Sequence, residues 1–285
     1  MSNEQSFDEF GLPYQLRLEN AQSSWWVEAM HELGRKLLGT LDASTRALDV
    51  GCGTGATLRW ISPKVERSYG IDVSIDGLIL ARQVAPASHI SASSASALPF
   101  ADASMDVIVS TDVLQHLPVA VRNESLREMS RVLKPGGRVM LRTNAKSLRR
   151  GIRERDDWHL IDHKVLRSEL EAAGFDCTRI THANAAGAIA ATLTGIVRRP
   201  RSAASDDHHA QHEHHHGHQD GHDHPGRHDQ EHHDQEHRGF GIPKRQSLWV
   251  ERAGKAAAAF ERAAIVRGHM NLPIGHTLFV LATKP

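Results

Sequence analysis

The stretch "LDVGCGTGATLRW", residues 48–60, decides the fold. An apolar run that predicts a strand leads into three glycines at alternate positions, Gly51, Gly53 and Gly55, and a helical pattern follows them. A strand, a glycine-rich turn and a helix N-terminus form a site for part of a nucleotide-like ligand at the carboxyl edge of a parallel sheet. The G-x-G-x-G spacing differs from the G-x-G-x-x-G of dinucleotide-binding proteins. A second acid, Asp72, ends the next predicted strand, where a carboxylate can accept hydrogen bonds from both hydroxyls of a ribose.

Strand and helix patterns alternate in the first half of the chain. Strands are predicted at "RALDV", "RSYGIDVS", "MDVIVST" and "RVMLRT", and helices at "IDGLILARQVA" and "VAVRNESLREMSRVL". A turn is predicted at "KPGG", with Gly136 and Gly137 supplying positive φ. Two more strands, "DCTRITHA" and "HTLFVLATK", come later. This alternation predicts an α/β fold with a doubly wound, mostly parallel sheet.

The chain divides into four predicted parts. Residues 1–45 form an N-terminal helical cap, because "WWVEAMHELGRKLL" carries apolar residues at helical spacing. Residues 46–182 form the core, and residues 276–285 return to it as the terminal strand. Residues 183–275 are a long insertion before that strand, interpreted as a lid that selects substrate. Within the insertion, residues 206–238 hold 13 of the 21 histidines and almost no aliphatic side chains, which predicts a disordered loop.

The composition of the chain limits the classes of binding partner and the cellular compartment that are expected. The 285 residues include 34 basic and 34 acidic side chains, and this zero net charge argues against nucleic acid as a partner. The N-terminus lacks the pattern of a secretory signal, and the longest weakly apolar run, residues 183–197, is too short for a membrane span. With only two cysteines, the expectation is a cytoplasmic protein without a membrane span. The oligomeric state is left open.

Four blocks in order carry a resemblance to a known family. They are "LDVGCGTG", "YGIDVS", "ALPFADASMDVIVSTDVLQHLP" and "LREMSRVLKPGGRVMLRT". Together they resemble the class I S-adenosylmethionine-dependent methyltransferases, in particular the small-molecule type that includes the ubiquinone and menaquinone biosynthesis enzymes. The resemblance covers residues 46–143 closely and extends loosely to the terminal strand. It implies a seven-stranded, Rossmann-like sheet and S-adenosylmethionine as the cofactor.

The resemblance also implies roles for individual residues. The glycines would let the backbone approach the methionine part and the ribose, and Asp72 would hold the ribose hydroxyls. Asp49 would organise the loop or contact the methionine amino group through water, and Val73 would touch the adenine. Relatives often carry an acid that binds the adenine amino group, where this chain has Ser94. The full set of implied cofactor contacts is Asp49, Gly51, Cys52, Gly53, Gly55, Asp72, Val73, Ser94, Ala95, Leu98, Ser110 and Thr111.

Methyl transfer from a sulfonium mainly requires that the nucleophile be held in line, so no universal catalytic motif is expected. Candidate bases are His116, Asp112 and His159. The sequence after the fourth strand is "STDV" rather than the Asn/Asp-Pro-Pro-Tyr/Phe of enzymes that methylate exocyclic amines of DNA or protein glutamine. An oxygen, carbon or nitrogen nucleophile on a small molecule is therefore the predicted acceptor.

The histidine-rich tract supports a second hypothesis. Neutral imidazole binds divalent transition metals, and neighbouring acids can add oxygen ligands. The chain could then be a metal-binding or regulatory protein that keeps the fold without turnover, although the intact acid and glycine motif favours the enzyme. The candidate metal ligands are His208, His209, His212, His214, His215, His216 and His218.

Overall fold

The computed structural model describes residues 25–146, 159–186 and 248–285. Seven strands form one sheet in the order β3-β2-β1-β4-β5-β7-β6. In chain order the strands are β1 (Arg46–Val50), β2 (Arg67–Asp72), β3 (His89–Ala92), β4 (Met105–Thr111), β5 (Leu133–Asn144), β6 (Asp176–Ala183) and β7 (Thr277–Thr283).

Strand direction confirms the predicted doubly wound sheet. The strands β3, β2, β1, β4 and β5 pair in parallel, whereas β7 runs antiparallel to both of its neighbours, β5 and β6. The order reverses at β1, which pairs with β2 on one side and β4 on the other. Ligands of such sheets bind beyond the carboxyl ends of the strands at this reversal, which is where the glycine-rich turn begins.

Helices cover both faces of the sheet. Those in the described ranges are α1 (Trp25–Leu38), α2 (Leu58–Ile61), α3 (Ile75–Val84), α4 (Val119–Val132), α5 (His163–Ala172) and α6 (Leu248–Val266), with 3₁₀ turns at Ser62–Lys64 and Leu114–His116. Ser74 starts α3 by accepting a hydrogen bond from the Gly77 N–H, and Asp162 starts α5 by accepting one from the Lys164 N–H. None of the helices in the described ranges is both long and apolar enough to cross a bilayer.

Side-chain alternation along the strands separates two cores. Leu48 and Val50 of β1 pack under α4 and α5, whereas Ala47 faces the opposite layer with Met30 and Leu33 of α1. Asp49 lies between Leu48 and Val50, so strand geometry directs its carboxylate to the α1 side. This places a charged group in the layer that α1 covers.

The helices α1 and α6 pack on each other and together cover this side of the sheet. A Cβ at Gly254 of α6 would lie only 2.4 Å from Cζ2 of Trp25, so the absence of a side chain admits the indole ring. Arg262 of α6 and Glu32 of α1 form an ion pair at 2.6 Å. The predicted cap and part of the predicted insertion are thus in contact.

The predicted "KPGG" turn is partly wrong. Gly136 has a φ of 74°, as expected, but Gly137 is not among the residues with positive φ. Gly137 is required for space instead, because a Cβ there would lie 2.7 Å from Cγ of Leu133. These residues belong to the first half of β5, next to a register shift against β4 at Met105.

Candidate active site

The glycine-rich turn adopts a backbone conformation that favours glycine. Gly51, Gly53 and Gly55 have φ angles of 75°, 49° and 87°, which side-chain-bearing residues rarely adopt. A Cβ at Gly51 would lie 2.1 Å from Cγ2 of Val113, and one at Gly55 would lie 3.0 Å from the Cα of Ala81. The turn therefore depends on glycine both for its angles and for its close contacts.

A fourth glycine supports the turn from the neighbouring strand. A Cβ at Gly70 of β2 would lie 2.6 Å from Cδ1 of Leu58 and 3.0 Å from Sγ of Cys52. Gly70 thus lets the turn and the start of α2 rest directly on β2. Sequence reasoning did not single it out, and a glycine inside an apolar strand is the signal that could have identified it.

Asp72 fastens the turn at the end of β2. Its Oδ2 accepts a hydrogen bond of 2.8 Å from the Gly53 N–H, and its Oδ1 accepts one of 2.8 Å from the Ser74 N–H. Burial raises the pKa of this carboxyl, although the backbone donors act in the opposite direction. The Val73 N–H is a third backbone donor to this carboxylate, and of its about four lone-pair sites one remains for a further donor.

Asp49 is the least satisfied polar side chain of the site. It is 1% exposed, and neither carboxylate oxygen receives a hydrogen bond from the described part of the chain. Burial and then the nearby Asp72 raise its pKa well above the usual range, and Arg142 counteracts them only in part. A buried carboxyl without partners is costly, and such groups occur where a ligand or water completes the structure.

Val73 follows β2, and Ser94 follows β3. The Val73 side chain is 41% exposed, so an apolar surface is available next to Asp72. The Ser94 hydroxyl is bonded within its own loop: its Oγ lies 2.9 Å from Oγ of Ser96 and accepts a hydrogen bond of 3.3 Å from the Ser96 N–H.

Three of the predicted contact residues direct their side chains into the protein. Cys52 and Leu98 are 6% and 4% exposed, and burial raises the pKa of the Cys52 thiol. The Ser110 hydroxyl donates a hydrogen bond of 2.9 Å to the carbonyl of Val50. Ala95 packs against the same core as Leu98. Any contact that Cys52, Leu98 or Ser110 makes with a ligand would therefore involve mainly the backbone.

Asp112, a candidate base, is held in an ion pair. Its carboxylate accepts hydrogen bonds from Nε of Arg142, at 3.2 Å, and from Nη2 of the same guanidinium. The Asp112 N–H also donates to the Arg142 carbonyl at 2.8 Å, and the Asp112 backbone has a φ of 61°. Arg142 is only 5% exposed, whereas the Asp112 side chain is 39% exposed, so the pair joins a buried cation to a carboxylate that solvent reaches. Thr111 lies beside Asp112, and its Oγ1 is 3.5 Å from Oγ1 of Thr57.

The other two candidate bases lie close to the end of β5. His116 ends the 3₁₀ turn after β4, and the His159 N–H donates a hydrogen bond of 2.7 Å to the carbonyl of the adjacent Gln115. Gln115 also accepts 2.8 Å from the Thr143 hydroxyl, which ties this turn to β5. The His159 Nε2 is buried and has no hydrogen-bond partner among the residues that the structure describes.

A histidine that sequence reasoning missed lies on the same side of the sheet. The pKa of His31, on α1, is lowered to about 4 by burial and by Arg142 and Arg59, against the opposite effect of Asp112. Nothing in the amphipathic pattern of α1 separates His31 from an ordinary helix residue. Only the tertiary structure brings it to Arg142 and Asp112.

The predicted metal ligands His208–His218 lie outside the described residues. Within residues 25–146, 159–186 and 248–285, no three His, Cys, Asp or Glu side chains are grouped so as to hold a metal ion.

Comparison with known proteins identifies the domain. A family described as "Methyltransferase domain" matches residues 48–141. The chain is 34% identical over 124 residues to methyltransferase GfsG of Streptomyces halstedii, covering 40% of this chain and 44% of that protein. It is 30% identical over 149 residues to 27-O-demethylrifamycin SV methyltransferase of Amycolatopsis mediterranei, covering 45% and 52%. The matches thus span about half the length of these curated relatives.

A solved structure shows a similar fold. Phosphoethanolamine N-methyltransferase 2 of Haemonchus contortus, in complex with S-adenosyl-L-methionine, superposes with a TM-score of 0.53 at 17% identity, covering 91% of this chain and 53% of that one. The glycine turn, the two acids at the ends of β1 and β2 and the matched family agree with one another. Residues 48–141 therefore match a methyltransferase domain, and this match supports a class I S-adenosylmethionine-dependent methyltransferase with S-adenosylmethionine as the cofactor.

Proposed function

We propose that this chain transfers a methyl group from S-adenosylmethionine to an oxygen, carbon or nitrogen nucleophile of a small molecule. The proposal is supported mainly by the site at β1, where the order of the strands reverses and where the glycine-rich turn, Asp49 and Asp72 lie together. Asp49 is buried without a hydrogen-bond donor in the described residues, beside a turn in which Gly51 and Gly55 leave no room for side chains. A protein that had lost cofactor binding would have little reason to retain such a costly carboxyl.

The residues present fit the cofactor. The remaining acceptor capacity of Asp72 suits a ribose hydroxyl, and the exposed face of Val73 suits the flat apolar adenine. Asp49 offers a buried carboxyl group on the α1 side, and the positively charged methionine part, extending towards Thr111, would favour its ionised form. The bound cofactor supplies a methyl group that is already activated by its sulfonium, so the protein's main task is to orient the acceptor and exclude water.

A small-molecule acceptor is supported by several features. The chain has zero net charge and carries "STDV" after β4, and one relative is named for methylation of 27-O-demethylrifamycin SV. We also propose a cytoplasmic location, since Cys52 and Cys177 are both free thiols. If the methyl acceptor were instead a nucleic acid or a protein, a label-transfer experiment would show labelled macromolecules.

The proposal is tested by native mass spectrometry and calorimetry with S-adenosylmethionine and S-adenosylhomocysteine. Asp72→Asn is expected to weaken both by about tenfold or more, since hydrogen bonds to a charged group contribute about 1.5–3 kcal/mol. Asp76→Asn, a change at a partly exposed position in the first turn of α3, serves as the matched control and should bind normally. Transfer of a labelled methyl group to small-molecule pools, and not to protein or RNA, would then be measured. A protein that binds metal ions but neither cofactor nor product would establish the metal-binding alternative instead.

A further inference from the structure

The N-terminal helix brings His31 over the end of β5. A Cβ at Gly34 would lie 3.2 Å from Cε of Met140, so α1 rests directly on β5 at this point. His31 precedes Gly34 by about one helical turn, and Arg142 follows Met140 by two strand residues. These steps are of similar length, about 4.5 Å along a helix and about 6.6 Å along a strand. Nη2 of Arg138 donates a hydrogen bond to the carbonyl of Thr40, just after α1, so α1 runs antiparallel to β5 and its N-terminal part, with His31, lies towards Arg142. The effect of Arg142 on the His31 pKa agrees with this placement.

Charged groups from three elements act on His31. They are Arg142 of β5, Asp112 after β4 and Arg59 of α2, and two of the three are cations. Arg142 is already engaged with Asp112 through two hydrogen bonds. No hydrogen bond to the His31 ring contributes to its pKa within the described residues. The imidazole is therefore neutral near pH 7, and one ring nitrogen is available as an acceptor.

This position is next to the place of methyl transfer. If Asp72 holds the ribose at the end of β2, the methionine half extends across β1 towards Thr111 at the end of β4. Asp112 directly follows Thr111, and its partner Arg142 lies below His31. An acceptor entering at the carboxyl edge of the sheet, beside the N-terminal part of α1, would reach the methyl group between the Asp112–Arg142 pair and the imidazole.

We propose that His31 is a catalytic residue that accepts the hydrogen bond, and then the proton, of a hydroxyl group on the methyl acceptor. The inference rests on the proposed function and makes the acceptor class an alcohol or phenol. The acceptor oxygen forms the new bond to the methyl carbon while the carbon–sulfur bond breaks and its electron pair stays on sulfur. The hydroxyl proton passes to the ring nitrogen of His31 and from there to solvent, so charge and atoms balance.

The weak basicity of His31 favours a hydroxyl over an amine. An oxygen that has gained a methyl group while still carrying its proton is a very strong acid, and even a weak base removes that proton. A methylated amine remains basic and would keep its proton against a histidine whose pKa is about 4. The neutral ring nitrogen of His31, beside two cations, is therefore suited to removing the proton of a methylated oxygen rather than that of a methylated amine.

The position of His31 is tested by NMR of the ring in the two cofactor complexes. S-adenosylmethionine and S-adenosylhomocysteine differ by one methyl group and one positive charge. The His31 ring signal, identified by its absence in His31→Gln, is expected to differ between the complexes and to titrate at lower pH with S-adenosylmethionine. His89, at the start of β3, where its ring stacks on Tyr69, provides the control signal that should not change. Identical His31 signals in both complexes would overturn the inference, whereas failure to form either complex would refute the proposed function itself.

The hydroxyl preference is tested with a matched pair of probes. Phenol and anisole share a ring, but only phenol carries an O–H donor. In the complex with S-adenosylhomocysteine, phenol should shift the His31 signal and anisole should not. The His31→Gln variant should bind S-adenosylhomocysteine within about twofold of the native protein. Equal shifts with both probes, or none with phenol, would show that His31 does not receive an acceptor hydroxyl.

Discussion

Replacing Asp49 by Asn is expected to stabilise the ligand-free protein while weakening cofactor binding. The Asp49 carboxyl is 1% exposed, lacks a donor in the described residues and has a raised pKa. A group whose pKa is higher in the folded protein favours folding at low pH, and this contribution is lost as the pH rises towards the folded pKa. Each pH unit in that interval costs about 1.4 kcal/mol. The neutral amide has a similar shape and avoids this cost.

The expected difference in unfolding free energy between the Asp49→Asn variant and the native protein therefore grows with pH. Starting from the ordinary pKa of 3.8, the advantage of the variant at pH 7 has an upper limit of about 4 kcal/mol. In a chain of this size, one kcal/mol corresponds to about 2–4 °C in Tm. Urea and thermal unfolding from pH 4.5 to 7.5 would measure the trend. Calorimetry would measure S-adenosylmethionine affinity, which should fall by about tenfold, the equivalent of about 1.4 kcal/mol.

Asp106→Asn is the matched control for Asp49→Asn. Asp106 accepts hydrogen bonds from the Arg46 N–H and from Nζ of Lys134, and its pKa is lowered despite partial burial. Its neutral variant should therefore lose stability above the unfolded pKa, the opposite direction to Asp49→Asn. An Asp49→Asn protein that is less stable than the native one at pH 7, with an unchanged pH profile, would refute the argument that Asp49 is an uncompensated buried acid.

Three further predictions concern the turn, the adenine side and α1. Gly51→Ala should abolish measurable cofactor binding because its Cβ collides with Val113. Gly39 also has a positive φ, 80°, but no atom lies within 4 Å of a Cβ there, so Gly39→Ala should only lower Tm. Equal cofactor binding by the two variants in calorimetry would contradict this prediction. Ser94→Asp should tighten S-adenosylmethionine binding by adding a charged acceptor, and unchanged or weaker binding would count against a contact with adenine. The lowered pKa of His31 implies that the native protein loses about 3 kcal/mol of stability as the pH falls from about 6.5 to about 4. The His31→Gln variant should lack this loss in unfolding experiments. If the stability of the variant fell with pH in parallel with that of the native protein, His31 would be excluded as the source.

The sequence predicts most of the central sheet because strongly apolar strands and capped helices have clear periodicities. The predicted "MDVIVST" and "DCTRITHA" coincide with β4 and β6, and "WWVEAMHELGRKLL" with α1. The strand β3 was not located because it is an edge strand of four residues, three of them exposed, and carries no apolar pattern. Resemblance to a family supplied the total of seven strands.

The candidate site divides in a similar way. Its cofactor half is local in sequence, since Gly51, Gly53 and Asp72 follow two adjacent strands, and motifs reveal it. The proposed acceptor half combines His31 and Arg142, which are far apart in the chain and are brought near each other by the packing of α1 on β5. Asp112 looked like a free base from sequence alone because nothing local announces its guanidinium partner on β5.

The position of β7 affects how the chain can fold during synthesis. This strand lies between β5 and β6 and pairs with both, yet residues 184–276 separate it from β6. Until β7 has left the ribosome, β5 and β6 each expose a backbone edge without its hydrogen-bonding partner strand. Such unpaired edges promote association with other chains. Closing a long loop costs only slightly more entropy than closing a short one, so the delay is a matter of kinetics rather than equilibrium. Growth of the insertion between β6 and β7 thus lengthens a vulnerable interval for the nascent chain while leaving the finished sheet unchanged.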